Sequence, residues 1–261
     1  MILTHSLPPF LIVLPTPPLF FFQGLLKEAM INYLAALGWN DGTDKEIYQV
    51  SEIVEGFDVD RVNSSPSMFD MAKLKWVNGQ HIRAMEPAAL KPMVKDLLVG
   101  SSDLLATAGE VSDAFVGLAV SNTQDKIEVL TDAVDMVEEV LDFQFEATAA
   151  SEEAAAIVGD EFGELTAAIV ASFDAGEMPT GAEGAEEFEG LWKAWVKKIG
   201  KDLGRKGKRL FMPVRLAVTG TMAGGDIGGQ LLLLAASEGV VKDEKRVPLA
   251  QRIDTLRAFE G

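Results

Sequence analysis

The sequence predicts an all-α protein, and three observations support this. Helix-forming residues dominate, and runs rich in Ala, Leu and Glu recur along the chain. Several segments place apolar residues at the three- and four-residue spacing of an amphipathic helix. With 261 residues, 48% of them hydrophobic, the chain is long enough to bury a core. We therefore expect a helical protein with one large or two small domains.

Residues 1–23 differ from the rest in composition. They are apolar, but their five prolines forbid a continuous membrane-spanning helix, and no basic start or arginine marks a targeting signal. Phe20 to Gln23 read like the translation of a pyrimidine tract ending in CAG. We interpret residues 1–23 as a translated intron tail and expect coding sequence upstream of Gly24. An unusual targeting extension is the alternative.

A first helical domain is predicted for residues 24–90. Apolar residues at helical spacing from Leu26 to Leu37 predict one helix, and a short helix follows with Ser51 as its N-cap. Ser65–Pro66 is a turn signal. Asp70 is expected to cap a third helix, which Asn78–Gly79 would end.

This third helix carries a basic cluster with a tryptophan, formed by Lys73, Lys75, Trp76, His81 and Arg83. Two interpretations stay open. The cluster is either a solvated helix face with Trp76 in the core, or a contact surface for a polyanion.

The second domain is predicted for residues 91–261, and its first part is acidic. One amphipathic helix is marked by Ile127, Leu130, Val134, Val137 and Leu141. Between residues 101 and 190 the single basic residue is Lys126. Acidic surface repels phosphates over about 8–10 Å, the Debye length near physiological ionic strength. We therefore interpret this part as a solvated scaffold.

The charge then reverses, although the whole chain has a net charge of −17. Between Leu191 and Arg215 a single acid, Asp202, stands against nine basic residues: Lys193, Lys197, Lys198, Lys201, Arg205, Lys206, Lys208, Arg209 and Arg215. Apolar Trp192, Trp195 and Ile199 share one face of the predicted helix, so the lysines project from the other. Lys and Arg gathered on one surface suit a phosphate backbone.

Gly204 and Gly207 are expected to end that helix, and Pro213 to occupy the first turn of the next, which Thr219–Gly220 ends. The following glycine loop matches neither the P-loop motif nor the Rossmann dinucleotide-binding motif, so we interpret it as a helix–helix connection. Two more helices are expected, around residues 229–237 and from near Pro248.

Three stretches resemble the C-terminal half of a bacterial or organellar glutamyl-tRNA synthetase. GLLKEAMINYLAALGW and FDVDRVNSSPSMFDMAKLKWVNGQHIR resemble its stem-contact region, and GRKGKRLFMPVRLAVTG resembles the signature of its anticodon-binding domain. The resemblance covers about residues 24–261. It implies a small helical stem-contact domain followed by a helical-bundle anticodon-binding domain.

The resemblance also implies a partner and its contacts. The partner would be tRNA, specifically tRNA(Glu), bound by a monomer, with no DNA or membrane partner. Arg215 matches an arginine used against anticodon bases, while Gly225 and Ile227 match the loop that closes on them. Because the family's loop proline is replaced, we expect this loop to be less preorganised. The resemblance places Lys73, Lys75 and Arg83 at the inner corner of the tRNA. From the charge run we expect contacts to the tRNA backbone by Lys197, Lys201, Arg205, Lys206, Lys208 and Arg209.

Catalysis is not expected from this chain alone. The family's adenylation domain carries HIGH-like and KMSKS-like motifs, and neither occurs in this sequence. Sites for ATP, magnesium and glutamate therefore have no residues here, and we predict no cofactor, no metal site and no catalytic residue; the absence of cysteine and the presence of only two histidines agree. The alternative is a stand-alone, catalytically silent module that binds tRNA or a protein. Family likeness suggests a chloroplast or mitochondrial location, with the cytoplasm as the alternative.

Overall fold

A computed structural model describes residues 24–63, 68–101, 103–107 and 109–259, and this part of the chain is all-α, as predicted. It contains thirteen α-helices and two 3-10 turns, and an isolated bridge between Leu105 and Val241 is its sole β contact. The expectations for residues 1–23 and for the Ser65–Pro66 turn lie outside the described residues.

The chain divides into two compact units. Among the described residues, one unit comprises those from Gly24 to Ala84 together with Glu128–Thr131, and the other comprises those from Met85 to Ile127 and from Asp132 to Phe259. The boundaries predicted from the sequence, 24–90 and 91–261, remain predictions.

The first unit contains α1 (Lys27–Ala36), α2 (Val50–Gly56) and α3 (Met71–Ala84). Its main core joins Leu25, Tyr33, Leu74 and Val129. Asp70 caps α3 as predicted, because its Oδ1 accepts hydrogen bonds from the backbone N–H groups of Ala72 and Lys73. The predicted cap of α2 is wrong: Gln49, not Ser51, is the N-cap, in a capping box with Glu52.

The predicted end of α3 at Asn78–Gly79 is also wrong, since the helix continues to Ala84. Asn78 is fully buried, and its side-chain amide forms hydrogen bonds to the backbone of two segments distant in sequence. Its Oδ1 accepts from Leu26 N at 2.7 Å, and its Nδ2 donates to Glu128 O at 2.6 Å. Asn78 therefore serves the packing of the unit.

Ten helices form the second unit. They are α4 (Pro87–Gly100), α5 (Asp113–Thr123), α6 (Asp132–Leu141), α7 (Phe145–Ala149), α8 (Ala155–Val158), α9 (Phe162–Asp174), α10 (Ala185–Asp202), α11 (Lys208–Thr219), α12 (Ile227–Ala236) and α13 (Leu249–Ala258). The apolar α12 packs against α5, α6, α10, α11 and α13. The helix predicted around residues 127–141 begins later than expected, at Asp132.

Pro213 lies inside α11, contrary to the prediction that it occupies the first turn. The helix begins at Lys208 because Gly207, at φ +56°, lets the chain reverse after α10. Pro213 lacks an N–H and cannot donate to the carbonyl of Arg209. The predicted end is confirmed: Gly220, at φ +72°, is the C-cap.

Candidate nucleic-acid interface

The loop after α11, residues 220–226, is held by the side chain of Arg215. Its guanidinium donates to the carbonyl of Gly225, and more weakly to that of Ala223 at 3.4 Å. No carboxylate of a described residue lies within 4.0 Å of Arg215, so its charge is not neutralised by an ion pair. A guanidinium has five N–H donors, so donors remain for a ligand. Burial lowers the pKa of Arg215.

Two glycines let this loop approach the cations closely. Gly224 has φ +133°, and a Cβ there would lie 3.1 Å from Nη1 of Arg215. A Cβ on Gly225 would collide with Nζ of Lys126. A side chain at either position would therefore displace a cation. Gly225, predicted at this site, contributes its carbonyl as the acceptor for Arg215.

Lys126 also belongs to this site, although its acidic sequence surroundings predicted a solvated scaffold. Its Nζ donates to the carbonyl of Asn122 at 2.7 Å, and no described carboxylate lies within 4.0 Å. Desolvation, together with the nearby Arg215 guanidinium, lowers the pKa of Lys126. One feature of the sequence could have identified Lys126 as a site residue: it is the single basic residue within ninety residues of acidic sequence.

Ile227 offers little surface to a base. It is the first residue of α12, and 7% of the residue is exposed. Asp226 caps the helix by accepting from Gly229 N at 2.8 Å, and this turns Ile227 inward. The resemblance assigns Ile227 to the loop that closes on the anticodon bases, whereas here Ile227 is a buried core residue at the start of α12.

A basic groove lies between α10, the start of α11 and the N-terminal end of α12, with a volume of about 900 Å³. Apolar and aromatic side chains line it, among them Phe188, Trp192, Val196, Leu210 and Phe211. Lys197, Lys201 and Lys206, three of the predicted backbone contacts, also line it. These lysines are exposed, and no carboxylate of a described residue lies within 4.0 Å of them. Lys208 is likewise exposed and unpaired but lies outside the lining.

Other cations of this stretch are paired within the protein. Lys193 pairs with Glu189, and Lys198 pairs with Glu177. Arg209 makes a bidentate pair with Asp160, with both N–O distances at 2.7 Å, although its side chain stays 53% exposed. A phosphate would have to compete with Asp160 for Arg209.

Arg205 is not available to an RNA, which corrects the expectation that it contacts the backbone. Its side chain is 1% exposed, and its Nη2 donates to the carbonyls of Asp160 and Glu161. Glu161 has φ +52°, the one positive φ among the described residues other than glycine. Arg205 thus fixes an unusual turn before α9, which is a structural role.

In the first unit the basic cluster on α3 is partly internal. Nζ of Lys73 pairs with Glu46 at 2.5 Å and lies 4.1 Å above the centre of the Trp76 ring. Trp76 is half-buried, so the interpretation that places it in the core does not hold. His81 is buried against Asn32, and burial lowers its pKa, so it adds no positive charge near neutrality. Lys75 is exposed and Arg83 is half-exposed, and neither has a described carboxylate within 4.0 Å.

The described residues offer neither a metal centre built from clustered side chains nor a helix able to cross a membrane. They include no group of three or more His, Asp or Glu side chains arranged to hold a metal ion. None of their helices combines the length and the apolar character needed to cross a bilayer.

Comparison with known proteins places this geometry in context. A family model described as an anticodon binding domain matches residues 88–238. A glutamate–tRNA ligase of Heliobacterium modesticaldum is 30% identical over 224 residues, which are 86% of this chain and 43% of the relative. One from Rhodococcus jostii is 34% identical over 203 residues, 76% of this chain and 38% of the relative. The chain thus spans about two fifths of the length of these relatives.

Solved structures show the same fold. A glutamate–tRNA synthetase of Elizabethkingia anophelis superposes with a TM-score of 0.65 and 23% identity, covering 90% of this chain and 41% of that protein. A glutamate–tRNA ligase of Elizabethkingia meningosepticum, solved with its amino acid, gives a TM-score of 0.60 at 23% identity, covering 89% of this chain and 42% of its own.

Proposed function

The chain belongs to the anticodon-binding domain family of glutamate–tRNA ligases, and on this premise we propose that it binds tRNA(Glu) and reads its anticodon. One observation carries the proposal. Arg215 and Lys126 lie together at the glycine loop without a carboxylate partner, in a chain of net charge −17. Asp226 lies close enough to act electrostatically on both cations, but neither forms a salt bridge, and such cations in an acidic protein favour an electron-rich ligand.

The chemistry of Arg215 suits an unpaired base. Its planar guanidinium is fixed by loop carbonyls and retains donors for base edges as well as a face for stacking. Lys126 adds a compact point charge beside it, suited to a phosphate or a base carbonyl. We assign base recognition to Arg215 and backbone or carbonyl contact to Lys126.

Of the steps in the relatives' ligase reaction, we propose only tRNA recognition for this chain. The HIGH-like and KMSKS-like motifs of the family's adenylation domain are absent from this sequence. ATP, magnesium and glutamate would be held by residues outside it.

The test is the binding of a tRNA(Glu) transcript, and of one with a changed anticodon, to Arg215→Ala. We expect Arg215→Ala to lose about 1–3 kcal/mol of binding free energy with the cognate tRNA and much less with the changed one. Arg257→Ala is the charge-matched control, because Arg257 pairs with Asp174 on α9, away from the loop. Equal losses with both tRNAs would show that Arg215 reads no base, and the proposal of anticodon reading would fail.

A further inference from the structure

We propose that the basic groove binds one unstacked nucleotide of the bound RNA, separately from the loop of Arg215. The proposal rests on the proposed function and names a second point of contact for the same ligand. It assigns the apolar lining to the base and the unpaired lysines to the phosphate.

The two ends of the groove differ in charge, and the difference runs along the axis of α10. Glu189 lies near the start of α10 and Lys201 near its end, and at ~1.5 Å per residue these positions are about 18 Å apart along the helix. Asp226 belongs to the acidic end, since a Cβ on Gly228 would lie 3.1 Å from Oδ2 of Asp226 and 3.0 Å from the Trp192 ring. The opposite end holds Lys201 and Lys206.

This polarity matches a nucleotide in one orientation. Phosphate oxygens need cations and are repelled by carboxylates, so the phosphate belongs beside Lys201 and Lys206. The amino and imino groups of a base are donors, and Asp226 can accept them through Oδ1, because its cap of α12 uses Oδ2. Glu189 is the weaker candidate acceptor, since Lys193 pairs with it. Between the ends lies an apolar floor. Phe211, which lines the groove, is 52% exposed, so its ring is accessible for a base to stack on.

The lysines favour RNA over an acidic peptide as the occupant. Lys197, Lys201 and Lys206 all line the groove and lack carboxylate partners among the described residues, although acids outnumber bases by 40 to 23 in the whole chain. An acidic helix would also place carboxylates against Glu189 and Asp226. A nucleotide avoids this repulsion because its negative charge sits at one end.

The experiment uses the full chain and a tRNA(Glu) transcript carrying 4-thiouridine. Ultraviolet cross-linking followed by mass spectrometry should locate an adduct on Phe211, Trp192 or their neighbours in the groove. Phe211→Ala should lower tRNA affinity by about fivefold or more, because base–aromatic stacking is lost. Since Phe211 is exposed, this change should leave the fold intact, which circular dichroism checks.

The lysines are tested as a pair against a matched pair. Lys201→Ala with Lys206→Ala should reduce the slope of log affinity against log salt by roughly 1.4, or about 0.7 for each single-strand phosphate contact. Lys91→Ala with Lys242→Ala removes the same charge outside the groove, and Asp103 keeps its second partner Lys245. The control pair should leave the slope unchanged.

Other outcomes separate this proposal from the one it rests on. If Arg215→Ala weakens tRNA binding while the groove variants match their controls and no adduct forms in the groove, the groove proposal is overturned and anticodon reading stands. If the intact chain binds no tRNA, both fall. If the groove variants leave tRNA binding unchanged but abolish binding of a synthetic acidic amphipathic peptide, the groove is a peptide site and the nucleotide proposal is overturned.

Discussion

Arg215 and Lys126 show how two cations are held ready without being neutralised. Both are fixed by backbone carbonyls: Arg215 by those of Ala223 and Gly225, and Lys126 by that of Asn122. Carbonyl dipoles orient a cation but leave its net charge in place. Desolvation lowers the pKa of both groups, and the Arg215 guanidinium lowers that of Lys126 further, while Asp226 acts in the opposite direction on both. Such an arrangement favours ligand binding at the expense of stability.

We predict opposite effects of Lys126→Ala on binding and on stability. Binding of tRNA(Glu) should weaken by about fivefold or more, since one charge-assisted contact is lost. The melting temperature should stay the same or rise, because desolvation first and Arg215 second outweigh the nearby carboxylates and make the charged form of Lys126 unfavourable in the folded state. Lys91→Ala, an exposed lysine on α4, is the control for nonspecific charge. Unchanged binding together with a lower melting temperature would make Lys126 a structural residue.

At the residue scale, sequence-based expectations failed where burial decides what a side chain can do. The sequence does not indicate that Arg205 is buried while the adjacent Lys206 is exposed. His81 and Ile227 were misjudged for the same reason. Lys126 was missed because acidic sequence neighbours hid a spatial neighbour, Arg215, eighty-nine positions away.

At the scale of elements, one glycine sets how α10 and α11 meet. A Cβ on Gly200 would lie 2.9 Å from the carbonyl of Arg205 and 2.5 Å from Cδ2 of Leu210. Backbone and a buried leucine therefore fill the place of a side chain. This contact forms part of the wall of the basic groove.

Gly200→Ala should destabilise the chain by about 1–3 kcal/mol, because overpacking forces α10 and α11 apart. Gly190→Ala, in the same helix, is the control: nothing lies within 4 Å of the added Cβ. There alanine should stabilise by roughly 0.5–1 kcal/mol, through lower backbone entropy in the unfolded chain. Urea denaturation measures both free energies of unfolding. If Gly200→Ala also stabilised the chain, the close contact between the two helices would be refuted.

Helix existence followed from the sequence more readily than helix ends. The Thr219–Gly220 end of α11 was predicted, because a glycine at positive φ is a local requirement. The end of α3 was not, because tertiary hydrogen bonds of Asn78 override a local stop signal. Pro213 was placed in a first turn by its local preference, whereas the turn at Gly207 decided where α11 begins.

At the scale of the whole molecule, segregation of charge determines which ligand is accepted. The chain carries 40 acids against 23 basic residues, yet three unpaired lysines share one groove and two unpaired cations share one loop of the second unit. Acidic surface elsewhere repels a polyanion within about a Debye length, so productive binding is confined to the basic surfaces. The all-α class was predictable from helix-forming residues and apolar spacing, and a basic surface from the local charge reversal between Leu191 and Arg215, but the division of cations into paired and unpaired ones was not.

The most direct measurement of the central claim is a titration of the intact chain with a tRNA(Glu) transcript at several salt concentrations, beside the same transcript with a changed anticodon. We predict that log affinity falls linearly with log salt for both, because phosphate contacts release counterions. The cognate tRNA should bind more tightly at every salt concentration, since base contacts do not depend on counterions. Affinity that ignores salt, or equal affinity for the two transcripts throughout, would contradict the account.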